Sequence, residues 1–270
     1  MKKLFIIFFA SCVFSDFSEA TDNLRIPDIR TLGMGGIGTA HSVLFNPALL
    51  AIHIERELRI DYYNRYSISE LATISGGLSF PNNVLPTGLH IASFGYDAYR
   101  ESMFRFAAGK QLNAYLALGI GVQYGLLQSE LFETSPSRIS TDLGIVVRPV
   151  DNWLITASAI NFPSVSINSE EMDDERIASW LVEIGTNWFV LDNLLLTGGA
   201  MRNKETPLGV AIGMEYQPFS DFHLRAGVKS TPFRPSIGIS YSFSKLTADV
   251  VMIYHQILGV SAGLGLSYSF

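Results

Sequence analysis

The chain has 270 residues, of which 48% are apolar and only 16% charged, with a formal net charge of -6. That apolar content excludes a disordered chain, and the acidic balance without any basic stripe excludes nucleic acid as a partner. Beyond the first residues no apolar run reaches the roughly 18 to 20 residues that a membrane helix needs.

The amino terminus reads as a targeting segment. Lys2 and Lys3 precede an apolar run over 4–14, and Ser18-Glu19-Ala20 places small residues at the -3 and -1 positions of a cleavage site. Residues 1–20 are therefore expected to be a signal peptide, with the mature chain starting at Thr21. Cleavage before Cys12, after Ala10-Ser11, would instead give a lipoprotein, although Phe9 is a poor residue to stand ahead of it. Both routes take the chain out of the cytoplasm. Cys12 is the only cysteine, so no disulfide is expected.

Residues 21–55 are not strand-like. They carry the glycine-dense stretch Arg30-Thr31-Leu32-Gly33-Met34-Gly35-Gly36-Ile37-Gly38-Thr39-Ala40 and, five residues on, Asn46-Pro47-Ala48-Leu49-Leu50-Ala51. Glycine-rich backbone can approach other backbone closely, and Asn-Pro marks a turn or a helix start. A phosphate loop is excluded, because there is no Gly-Lys-Ser/Thr and no preceding strand.

From residue 56 the hydropathy alternates with period two, the signature of strands with one apolar face. Fourteen such segments are expected: 56–66, 71–80, 86–95, 102–110, 115–127, 139–148, 153–161, 179–190, 194–202, 207–217, 222–230, 235–243, 246–255 and 258–270. The last is the clearest. Val260, Ala262, Leu264, Leu266, Tyr268 and Phe270 alternate with glycines and serines alone. A face with so little bulk suits a crowded lumen, and its apolar opposite suits lipid. The connections alternate as well. Short ones repeat Asn or Asp (Pro81-Asn82-Asn83, Val150-Asp151-Asn152, Leu191-Asp192-Asn193), which bond their own backbone in turns. Longer ones are expected at 96–101, 128–138, 162–178 and 203–206. Short periplasmic turns and longer outer loops are the barrel pattern, and an even strand count leaves both ends of the barrel on the periplasmic side.

By parity Arg59, Asp61, Arg65, Arg105, Asp142, Arg148, Glu183, Glu215, Arg225, Lys229 and Asp249 fall opposite the apolar face. Charges facing lipid would cost a few kcal/mol each, so these are assigned to the lumen, to brace the barrel or to meet a substrate. Trp153, Trp180, Trp188, Tyr216, Phe222, Tyr268 and Phe270 lie near strand ends, as interfacial girdles require. The five histidines (His41, His53, His90, His223, His255) lack metal-ligand spacing. No Ser-His-acid set stands out, so neither enzyme activity nor a cofactor or metal is expected. The acidic run at 170–175 lacks the order of a calcium loop and reads as solvated.

The stretches 32–40 and 46–51 resemble the amino-terminal signature of the FadL-like outer-membrane barrels, and within them the PorV/PorQ group. Phe94-Gly95-Tyr96, Tyr99-Arg100-Glu101 and Ala107-Ala108-Gly109-Lys110-Gln111-Leu112 are similar to that group's early strands. The resemblance implies an all-β, transmembrane antiparallel barrel of about 14 strands over 56–270, with 21–55 as a plug-like segment in the lumen. Its plug motif would be Gly33, Gly35, Gly36, Asn46, Pro47 and Ala48. It implies the cell outer membrane, with outer-membrane lipid as a partner. The PorV/PorQ likeness implies an accessory role in type IX secretion, with secretion components or exported proteins as partners. The wider FadL likeness implies passive transport of hydrophobic small molecules. The chain departs from both in its short linker at 41–45, which lacks acidic residues, and in its small outer loops.

Overall fold

A computed structural model describes residues 23–53, 55–130, 134–167, 180–203 and 208–270; the segment 1–20 and the acidic run 170–175 lie outside them. The strands are β1 (Glu57–Asn64), β2 (Ala72–Phe80), β3 (Thr87–Tyr96), β4 (Tyr99–Asn113), β5 (Leu116–Ser129), β6 (Ser137–Val150), β7 (Trp153–Ile160), β8 (Ser164–Ile167), β9 (Leu181–Leu191), β10 (Leu194–Asn203), β11 (Gly209–Phe219), β12 (Phe222–Lys229), β13 (Arg234–Phe243), β14 (Leu246–His255) and β15 (Gly259–Ser269). All pair antiparallel with their neighbours. β7 joins β9 directly, and β1 joins β15 from Glu57↔Ser269 to Asn64↔Ala262. The result is a closed barrel of fourteen strands, with no edge left along β1 or β15.

Each expected segment coincides with one strand of the ring, within a few residues. β8 is additional, in a stretch expected to be loop. It pairs with β6 alone among the described residues (Ser140↔Ser164 to Ser137↔Ile167) and continues the line of β7, whose own pairing with β6 includes Leu143↔Ala159. Between them the register slips by two residues. There the Phe162 amide donates to the Thr141 carbonyl at 2.8 Å and the Thr141 amide donates to the Pro163 carbonyl at 3.0 Å. Four alternating residues after a proline are too short a run to read as a strand from sequence alone. The 96–101 connection is also tighter than expected: β3 and β4 meet at Tyr96↔Tyr99.

The two faces separate as the alternation requires. On β15, Leu264, Leu266 and Tyr268 are exposed outward while Ser261 and Ser267 are buried inward. Trp153, Trp188, Tyr216, Tyr268 and Phe270 stand out at the short-turn end, joined by Phe80, Phe219 and Phe243. Tyr62, Tyr96, Phe233 and Tyr254 mark the opposite end, where Trp180 also lies, just ahead of β9. Two aromatic rims around an apolar wall are what a bilayer-spanning barrel presents.

The bore is occupied by residues 23–53. This segment holds two short helices, α1 (Ile29–Gly33) and α2 (Gly38–His41), and a 3-10 turn at Pro47–Ala51. It enters beside the outer ends of β1, β2 and β4, where Asn23 meets Arg65, Thr73 and Glu101. It ends near the short-turn end, where β1 begins.

Candidate functional site

Local sequence explains how the inner segment folds. Asp28 caps α1, its Oδ1 accepting from the Thr31 amide at 2.9 Å and the Thr31 hydroxyl at 3.0 Å. Gly35 and Gly36 take φ of +87° and +78°, which turns the chain from α1 toward α2. Asn46 caps the 3-10 turn through Oδ1 to the Ala48 amide at 3.0 Å. Its Nδ2 donates to the Thr39 carbonyl and to the Ile145 carbonyl of β6, both at 3.1 Å. One fully buried amide thus ties the segment to itself and to the wall.

The wall makes room for this backbone with inward glycines. A Cβ on Gly119 or Gly144 would overlap Asn46, Pro47 or Ala48; on Gly213 it would overlap Met34, and on Gly227 Met34 and Gly35. Gly33 faces Gly238, where an added Cβ would sit 3.3 Å from the Gly33 Cα. The small inward face of the sequence alternation is the seat of the inner segment. Gly33, Gly35, Gly36, Asn46, Pro47 and Ala48 all lie within that seated segment.

Two ion-pair networks fix it. In the first, Asp142 of β6 is fully buried between Arg25 of the segment (Nη2 to Oδ1, 3.1 Å) and Arg105 of β4 (Nε to Oδ2, 2.7 Å). Asn161 adds its amide to Oδ1 at 3.0 Å, and Gln123 bonds Asn161 and Arg25. In the second, Glu215 of β11 accepts from Arg30 (Nη2 to Oε1, 2.6 Å) and from Arg225 of β12. Arg225 reaches Asp249 at 2.8 Å, and Arg59 spans Asp249, Asp61 and Glu57 at 3.0 to 3.7 Å. Glu183 accepts from the Thr39 amide at 2.8 Å. Of the lumen charges expected from parity, Arg59, Asp61, Arg105, Asp142, Glu183, Glu215, Arg225 and Asp249 enter these contacts. Arg148 is half-buried at the short-turn end of β6 and, among the described residues, has no ion-pair partner. Their segment partners Arg25, Asp28 and Arg30 carry no period-two signal, and parity could not have found them.

Titration within the segment follows this packing. Desolvation would raise the Asp28 carboxyl, but Arg59, the Thr31 bonds and Arg30 together hold it below its ordinary value. Burial, helped by Arg30, pushes His41 down to about 3. His41 Nε2 lies 3.0 Å from the Thr197 hydroxyl.

Above the first network, toward the outer end, the bore turns apolar. Ala92 and Phe94 of β3, Met103 of β4 and Ile160 of β7 surround Leu24, Leu44 and Phe45 of the segment, flanked by Leu71, Tyr99 and Leu181. Phe94 and Tyr99 meet edge to face, their ring centroids 6.5 Å apart. Ile160 is the last residue of β7, where the β7–β9 ladder stops at Ile160↔Leu181. The apolar cluster therefore abuts the one interrupted strand found among the described residues.

The fold, as distinct from the details of the bore, recurs in solved barrels. The toluene transporter TodX of Pseudomonas putida superposes with a TM-score of 0.62 at 11% identity, over 91% of this chain and 98% of its own. The fold is FadL-like. A FadL homologue of Pseudomonas aeruginosa gives 0.62 at 13% identity, over 91% and 97% of the two chains. A TodX deletion mutant described as a monoaromatic hydrocarbon channel gives 0.62 at 12%, over 90% and 98%. No protein-family model and no curated sequence matches the chain. At these identities the likeness is one of fold, an outer-membrane antiparallel barrel.

Proposed function

We propose that this protein is a non-enzymatic barrel of the outer membrane that admits hydrophobic small molecules, exported by cleavage after Ala20 and plugged by residues 21–55. The apolar cluster at the outer end of the bore carries the reading. Leu24 and Phe45, which belong to the segment and not to the wall, stand among Phe94, Met103 and Ile160 where an apolar guest would find its partners. The break after Ile160 supports a way out from that cluster toward lipid, between β8 and β9. The solved barrels of the same fold, described as a toluene transporter and a hydrocarbon channel, favour this reading over a secretion role. The type IX assignment rests on the sequence resemblance alone.

Uptake of toluene by cells whose lipopolysaccharide restricts hydrophobic solutes tests the proposal. Cells carrying the protein should take up toluene several-fold faster than empty cells, and Met103→Asp, which places a charge in the cluster, should abolish the gain. Equal uptake with and without the protein, given folded protein in the membrane, would sink the transport reading.

A further inference from the structure

The short-turn mouth holds a second site, away from the apolar cluster. On the short-turn side of the Pro47–Ala51 turn opens a cup of about 1040 Å³, bounded by the exit of the segment, the turns after β2 and β13, and the ends of β4 and β15. That volume is at the upper end of small-molecule sites. The cup is polar, unlike the outer cluster. Deeper in the bore Arg25, Arg30, Arg59, Arg105 and Arg225 are all committed to carboxylates. At the cup the cations are not so committed. Among the described residues Lys110 donates only to the Val84 carbonyl, at 2.6 Å. Arg56 and Lys245 have no ion-pair partner among the described residues. Glu55 is the single acidic side chain of its lining.

Between these cations the walls offer neutral side chains that both donate and accept, Gln111, Asn83, Ser244 and Ser269 among them. Three cations against the one carboxylate side chain of the lining attract an anion. The cup's volume is too large for a simple oxyanion, and walls of amide and hydroxyl groups match a guest rich in hydroxyls. We propose that this cup binds an anionic oligosaccharide, a short glycan bearing carboxylates, on the side of the barrel opposite the apolar cluster. The cup and the apolar cluster share no lining residue.

Titration calorimetry on the detergent-solubilised full-length protein tests it, with a mannuronate hexamer as probe and maltohexaose as its neutral counterpart. The acidic hexamer should bind at low salt and the neutral one should not. Arg56→Ser combined with Lys245→Ser, both exposed and in no ion pair among the described residues, should weaken binding about tenfold while leaving thermal stability unchanged. Equal binding of the two sugars, unaltered binding to the double variant, or no binding of the acidic hexamer would overturn the proposal. Tighter binding of hexaglutamate than of the uronate would also overturn it, by assigning the cup to acidic peptide.

Discussion

Asp142 and Arg148 are separated by six positions on one strand and share its inward parity, yet among the described residues only Asp142 is in ion pairs. Asp142 is fully buried and holds Arg25 and Arg105, so Asp142→Asn leaves two buried guanidinium groups short of their counter-charge, at a cost of about 3–5 kcal/mol. Arg148→Ala, with no ion pair to break, should stay within about 0.5 kcal/mol. The temperature at which the compact form disappears in unheated gel samples separates the two variants. His41 adds a pH dependence. Because its neutral form is favoured in the folded state, the unfolded chain takes up the proton first as pH falls. Stability should therefore hold above pH 6.5 and decline from there toward about 3. His41→Gln should flatten that part of the melting-temperature profile, and an unchanged profile would show that the imidazole plays no part.

Among the elements, the inner segment is the one whose seat can be tested by substitution. A side chain at Gly119 would overlap Pro47 and Ala48, whereas Gly125, three positions toward the outer end along the same face of β5, meets nothing within 4 Å. Gly119→Leu should displace the segment and raise single-channel conductance in planar bilayers; Gly125→Leu should leave it unchanged. Equal conductance in the two would mean that the seat does not close the bore. The wall was readable from the chain because its alternation is written into every strand: Leu264, Leu266 and Tyr268 face one way, and Gly263, Gly265 and Ser267 the other. The segment was readable only as glycines and an Asn-Pro pair, since its partners lie on distant strands. The break at Asn161–Pro163 left no trace in hydropathy, because β8 simply resumes the alternation after two extra residues.

At the scale of the whole molecule, ion pairs and apolar clusters interleave along the bore. Phe94, Met103 and Ile160 meet the segment toward the outer end, Arg30, Arg59 and Arg225 meet Glu215 and Asp249 deeper in, and Ala48 and Leu49 pack with Ala117, Val146 and Leu154 near the short turns. Parity revealed that charges face inward, but not how they alternate with apolar clusters. That order follows from where the segment crosses the bore, and no single strand encodes it. The segment also ties the start of the chain to its end. Gly35 bonds the hydroxyl of Ser236, 201 positions away, and Ile29 packs over Gly263 and Gly265 of the last strand. Contacts of such separation form late. The seat of residues 29–36 is built by β11 to β15 and is therefore complete only when those strands have joined the ring. That part of the lining has no wall to rest on before then.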